Sequence, residues 1–328
     1  MNKILVTGGA GFIGYFLIKE LLKNKKNEIV IFDSMYRGRM DNEFKEIISN
    51  KNVSFHQGDL TDYNLFMSLD KNFNYIYHLA AVIGVKNVVE NPDKVLRDNA
   101  MITINLIEFA KNLKSLKKIL FSSTSEIYAG TLKHFGLDIP TDEEAKLTLD
   151  DIKSPRTTYM LSKMYGESIF FNYGNKYNIP FTIVRYHNVY GPRMGFLHVI
   201  PEMLVKISNK KVVEVASPEH TRSMCFIDDA IEMTIRACEN KTTDKEILNI
   251  GNQDEEISII NLTKTIATIL EKNIEIKTLP DTAGSPKKRC PDISKIISMT
   301  GYRPKVNIID GIKKTYDWYK DKLHNKYE

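Results

Sequence analysis

The chain has 328 residues, 42% hydrophobic and 27% charged, a balance that excludes disordered and fibrous classes and supports one large domain plus a smaller one. Its net charge of +5 is dispersed among acids, and the basic run Pro286-Lys287-Lys288-Arg289 lacks interleaved aromatics, which excludes nucleic acid as a partner. Three scattered cysteines, no signal-peptide layout and no run near the ~20 apolar residues of a membrane span point to a cytoplasmic protein with no disulfide framework, no metal site and no membrane contact.

Residues 3–6 form a short apolar run leading into Thr7-Gly8-Gly9-Ala10-Gly11-Phe12-Ile13-Gly14, and 15–22 continues with helical apolar spacing at Phe16, Leu17, Leu21 and Leu22. Strand, tight turn and helix N-terminus in that order suit a pyrophosphate. Gly8 permits the turn, Gly11 lets the backbone approach the phosphates, and Gly14 allows close packing of helix on strand. With Phe12 and Ile13 they form the expected cofactor-facing turn. A second strand, 28–32, ends in Asp33, nineteen residues beyond Gly14. Its carboxylate can accept hydrogen bonds from the adenosine ribose hydroxyls and would repel a 2′-phosphate, so NAD is expected rather than NADP. Arg37 and Arg39 lie nearby and could accommodate such a phosphate, which keeps NADP as the lesser alternative.

Further strand-like runs at 53–57, 75–79, 118–122 and 181–185 alternate with helical segments. The alternation predicts an α/β fold, a doubly wound parallel sheet of Rossmann type. We place this domain at 1–186 and a smaller, mixed α/β substrate domain at 187–328, with segments near 224–251 returning to the main domain. Ligands of such sheets lie beyond the carboxyl ends of the strands. That rule singles out Asp59 and Leu60, Ala80 and Ala81, Thr124-Ser125-Glu126, and Asn188. Asp59 suits the adenine edge, and the two alanines leave room for the middle of the cofactor. Residues 129–154 make a long connection, expected to be a binding lid or to carry irregular structure.

Tyr159 and Lys163 are four apart on a segment of helical character and share one face. An ammonium beside a phenol lowers the phenol's pKa, and a positive nicotinamide ring would help, so Tyr159 can act as base on a sugar hydroxyl. A chance pair of exposed side chains is the plain alternative. Thr124 ends a strand and can orient the reacting oxygen. Glu126, two residues on, shares its face if the extended conformation persists, adding a second acid/base group.

These segments together resemble the extended short-chain dehydrogenase/reductase family, in its group of nucleotide-sugar epimerases, dehydratases and decarboxylases. The resemblance runs the length of the chain. It rests on the glycine turn, Asp33 with Gly38-Arg39 and Asn42, Gly58-Asp59-Leu60, His78-Leu79-Ala80-Ala81, Ser123-Thr124-Ser125-Glu126-Ile127-Tyr128, Tyr159 to Lys163, and Asn188-Val189-Tyr190-Gly191-Pro192-Arg193. It implies that Thr124, Tyr159 and Lys163 form the catalytic set, that a ketone forms at C4 of the sugar, and that Lys163 also binds the nicotinamide ribose. It adds Asn99 to the cofactor set, and Ser125, Asn188, Arg193, Arg222 and Arg289 to the side that holds a nucleotide-diphosphate sugar. It also implies a homodimer built through helices near 101–111 and 160–172.

Which reaction follows the oxidation is open at this point. The family's base rate favours epimerisation, which needs no acid at position 126. Thr124-Ser125-Glu126 resembles uronate decarboxylases and some dehydratases, while Ser125 departs from the Asp-Glu pair of the dehydratases that act on deoxythymidine sugars. After Pro291-Asp292 the chain offers Ile293-Ser294-Lys295 and no arginine, a departure from many decarboxylases. A non-catalytic NAD sensor is the reading from another class, and the retained Tyr159 and Lys163 count against it.

Overall fold

The computed structural model describes residues 2–282 and 285–323. Seven strands, β1 (Asn2–Thr7), β2 (Asn27–Asp33), β3 (Val53–Gln57), β4 (Tyr75–His78), β5 (Lys118–Thr124), β6 (Phe181–Tyr186) and β7 (Ile247–Ile250), form one sheet in the order β7-β6-β5-β4-β1-β2-β3. Every pairing is parallel. The expected fold class is the observed one, and the six strands read from the sequence all form, with ends displaced by at most two residues. Strands covered on both faces read as continuous apolar runs, and the last four residues of β1 are all buried.

Alternate residues of each strand feed two cores. Ile4, Val6, Ile29 and Ile31 face helices α1 (Phe12–Leu21) and, far along the chain, Ile227–Glu239. Leu5, Val30, Ile76 and Phe121 face α2 (Pro92–Ala110) and α3 (Thr157–Tyr177), which pack on each other. Pro92 sits in the first turn of α2, where its missing N–H costs nothing, and Asn178 in left-handed conformation ends α3. Gly166 lets α3 lie close to β5: a Cβ there would stand 2.4 Å from the Phe121 ring. That close approach brings Tyr159 and Lys163 to the end of β5.

The chain after β6 builds mixed α/β structure. A three-stranded sheet joins Glu256–Ser258, Thr221–Ser223 and Lys288–Arg289, and Val212–Ala216 pairs in parallel with Glu275–Leu279. Residues 224–251 run back into the main body, where the helix Ile227–Glu239 packs near α1 and β7 joins the sheet beside β6. The long connection after β5 is partly ordered. It contains a 3-10 turn at Ser125–Tyr128 and a helix at Ala129–His134, and Thr141 pairs with Pro291 of the C-terminal tail. Among the described residues no helix is long and apolar enough to cross a membrane.

Candidate active site

All the predicted site residues except Asn99 and Arg222 border a single cleft of about 1520 Å³ at the carboxyl edge of the sheet. The glycine turn opens one end. A Cβ on Gly14 would stand 2.4 Å from the carbonyl oxygen of Gly8, so the helix can start this close to the strand only with glycine. Gly11 caps α1 without a side-chain hydrogen bond, leaving the first N–H groups of a ten-residue helix for an anionic ligand. Asp33 braces this turn: its carboxylate accepts from Ala10 N–H at 3.0 Å and from Met35 N–H at 2.8 Å. Burial pushes its pKa up, and those two donors oppose the shift. Asp59 accepts from Thr61 N–H at 2.9 Å at the same end of the cleft.

At the other end, β5 and α3 converge. Lys163 Nζ donates to the carbonyl of Ser122 at 2.7 Å and lies 4.9 Å from the centre of the Phe121 ring. Burial lowers its pKa to about 7. Beneath it His78 pairs with Thr7 Oγ1 at 2.7 Å, and burial lowers the imidazole to about 3, so it is neutral at ordinary pH. Tyr159 is buried, and burial, reinforced by the charge of Glu126, pushes its phenol up; Arg37 and a hydrogen bond with Thr124 oppose that shift. Lys163 therefore does not produce the lowered phenol expected from the sequence, because its Nζ is engaged by the backbone carbonyl of Ser122 and burial dominates at Tyr159.

The extended conformation stops at Thr124. Its hydroxyl accepts from Glu126 N–H at 3.2 Å and caps the 3-10 turn, so Glu126 is presented by a turn and not by a continuing strand. Both residues still face the cleft, and Glu126 is close enough to Tyr159 and to Arg289 to influence each electrostatically. Arg289 is in register with Arg222 on the neighbouring strand. Arg222 donates to Thr221 O at 2.7 Å and to Ser285 Oγ at 2.8 Å, and burial, then the charge of Arg289, lower its pKa to about 10.

Asn188 anchors its amide on Ser223 O at 3.1 Å. Arg193 is buried with its guanidinium shared between Asp41, at 2.8 Å, and the carbonyls of Ala10, Gly11 and Arg39. It thus ties the glycine turn to the chain after β6. Asn99 lies one layer behind, holding both backbone groups of Val82 and Ser162 Oγ.

Sequence reading missed a buried polar hub that holds the cleft floor. Arg185 donates to both oxygens of Glu167, at 3.0 and 2.7 Å, and to Tyr128 OH at 2.7 Å. Glu167 also accepts from Ser123 Oγ at 2.5 Å, next to Thr124. Tyr128 donates to Asn249 Oδ1, and the Asn249 amide donates to the carbonyls of Thr141 and Asp292. The signal was present: Arg185 is a charge at the end of an apolar strand, and Glu167 follows Lys163 by one helical turn.

Residues 4–251 match the NAD dependent epimerase/dehydratase family. The chain is 33% identical over 313 residues to UDP-glucuronic acid decarboxylase 6 of Arabidopsis thaliana, an alignment covering 94% of this chain and 86% of the plant protein. Among solved structures, a UDP-glucose 4-epimerase of Thermotoga maritima with UDP-glucose superposes with a TM-score of 0.86 at 26% identity, covering 98% of this chain and 100% of that one. A UDP-glucuronic acid 4-epimerase of Bacillus cereus, in complex with UDP-glucuronic acid and NAD, gives a TM-score of 0.81 at 29% identity, covering 97% and 99%. The uncapped helix end, the glycine turn and Asp33 fit a dinucleotide on their own geometry. The chain belongs to the NAD-dependent epimerase/dehydratase family of extended short-chain dehydrogenase/reductases, and it is an enzyme whose cofactor is NAD.

Proposed function

We propose that this enzyme oxidises C4 of a nucleoside-diphosphate-linked uronic acid and then releases its carboxyl group as carbon dioxide. The observation that carries the reading is Glu126, set on the turn that Thr124 caps and bordering the same cleft as Tyr159 and Arg289, within electrostatic reach of both. Bound at the glycine turn and Asp33, with Tyr159 and Lys163 at its nicotinamide end, NAD would supply the acceptor for the C4 hydride and the source for its return. Tyr159 takes the hydroxyl proton at O4 while Thr124 orients that oxygen. The product is a β-keto acid, whose C5–C6 bond breaks to leave carbon dioxide and an enolate across C4 and C5. Glu126 delivers the proton that C5 then needs, and Tyr159 returns its own proton to O4. Arg289 holds the diphosphate from within the cleft, with Asn188 beside it and Arg222 adding its charge from the neighbouring strand.

Similarity to the plant decarboxylase supports this reading, and the Bacillus cereus neighbour was solved with the same sugar nucleotide. The sequence alone leaned to 4-epimerisation. That is the second reading, favoured because Tyr159, Lys163 and Thr124 suffice for it and because the two solved structures described above are 4-epimerases.

We further infer a cytoplasmic homodimer through α2 and α3, which leave Leu96, Met101 and Tyr165 exposed. The division into units at 1–186 and 187–328 belongs to the same reading.

The test is mass spectrometry of products from UDP-glucuronic acid and NAD in heavy water. A product short of carbon dioxide and carrying one deuteron at C5 is expected. An unchanged mass with a new chromatographic position means epimerisation and overturns decarboxylation.

A further inference from the structure

The described arginines differ in what neutralises them. Arg97, Arg185, Arg193, Arg236 and Arg303 each have a carboxylate ion-pair partner. No carboxylate ion pair is seen for Arg37, Arg39, Arg222 or Arg289 among the described residues, and of these Arg37 borders the cleft while reaching across to the segment after β4. Among the described residues its one hydrogen bond runs from Nη1 to the carbonyl of Ile83, 3.1 Å away, in the segment after β4. Tyr36 makes a parallel contact, donating from its hydroxyl to Asn87 Oδ1 at 3.2 Å. The sequence placed Arg37 near a ribose 2′-position beside Asp33; its side chain instead crosses to the far side of the cleft.

Sheet order gives that crossing a meaning. β1 stands between β2 and β4, so side chains joining the exits of β2 and β4 pass over the exit of β1. There the glycine turn leads into the uncapped N-terminus of α1. Burial disfavours the Arg37 cation, nearby Tyr159 and Tyr36 oppose that in part, the like charge of Arg39 adds to it, and among the described residues no carboxylate relieves it. A guanidinium has five N–H donors in a planar fork suited to phosphate oxygens.

We propose that Arg37 is a clasp for the diphosphate of NAD, holding it against the α1 N-terminus from the opposite side, with Tyr36 and Asn87 fixing the arm. The proposal rests on NAD being the cofactor and is independent of which reaction the sugar undergoes.

The test is equilibrium binding of NAD to the nucleotide-free, full-length Arg37→Gln protein. Its dissociation constant should rise about ten- to a hundredfold, the range for losing a charge-assisted pair. Arg37→Lys should recover part of the loss as a point charge. Adenosine, which lacks the diphosphate, should bind both variants as it binds the wild type, and the melting temperature without nucleotide should not change. NAD affinity within about twofold of wild type would overturn the proposal. So would an equal loss for adenosine, or a defect confined to UDP-glucuronic acid relative to UDP-glucose.

Discussion

Lys163 and Tyr159 share a face of α3, but the Lys163 ammonium is committed to the carbonyl of Ser122 at 2.7 Å and stands 5.9 Å from the centre of the Tyr159 ring. The phenol is therefore held above its ordinary value by burial until another positive charge arrives. Adding NAD should lower the pH at which the tyrosinate absorbance band of one residue appears. Tyr159→Phe should abolish both that change and turnover while NAD still binds. A tyrosinate titration indifferent to NAD would remove the cofactor from this role.

The pH dependence of stability follows from Lys163. Between about 7, its buried value, and 10.5, the unfolded chain holds a proton that the folded protein without cofactor releases. The group thus lowers stability at neutral and acid pH, and the penalty fades as pH rises through that window. Melting temperatures of wild type and Lys163→Met, measured without nucleotide from about pH 7 to about pH 10, should show the wild type gaining on the variant. A difference that is flat across the window would mean that the folded protein keeps the proton.

Glu126→Gln separates the two reactions. If Glu126 delivers a proton to C5, formation of the decarboxylated product should fall by about 10²- to 10⁴-fold with little change in binding of UDP-glucuronic acid. Near-normal turnover would assign the site to 4-epimerisation.

The Glu167–Arg185 pair has side chains only 7% and 3% exposed. Arg185→Met would leave the carboxylate of Glu167 buried with Ser123 Oγ as its remaining donor. The expected cost is about 3–5 kcal/mol by urea denaturation, because an unpaired buried charge is far worse than none. Pairing that change with Glu167→Gln should recover a large part of the loss. If Arg185→Met alone melts like the wild type, the pair contributes nothing to holding the cleft floor.

Local pattern made the frame legible. The apolar runs of β1, β2 and β5 and the residues that follow each run report on themselves, because a parallel strand buries both faces wherever it sits. Side-chain partnerships were less so. Arg193 follows the Tyr190-Gly191-Pro192 motif and was expected at the substrate, yet its guanidinium binds Asp41, which is 152 residues earlier. No periodicity encodes that distance. Thr124 and Glu126 are two apart in sequence and share a strand face only if the extended conformation persists; the Thr124 hydroxyl caps the next turn, so it does not. The Glu167–Arg185 pair also needed the α3–β6 contact before either charge could be explained.

The seventh strand has a consequence for how the chain is made. β6 ends at Tyr186, but its partner β7 is synthesised only at Ile247–Ile250. While the intervening residues are being added, the β6 edge of a nascent sheet presents unpaired backbone groups to its surroundings. A fragment truncated before β7 should keep that edge open and self-associate. The stretch that completes the sheet also carries Asn249, which locks the Tyr128 turn to the C-terminal tail. Closure of the sheet and anchoring of the turn beside Thr124 and Glu126 thus depend on the same four residues.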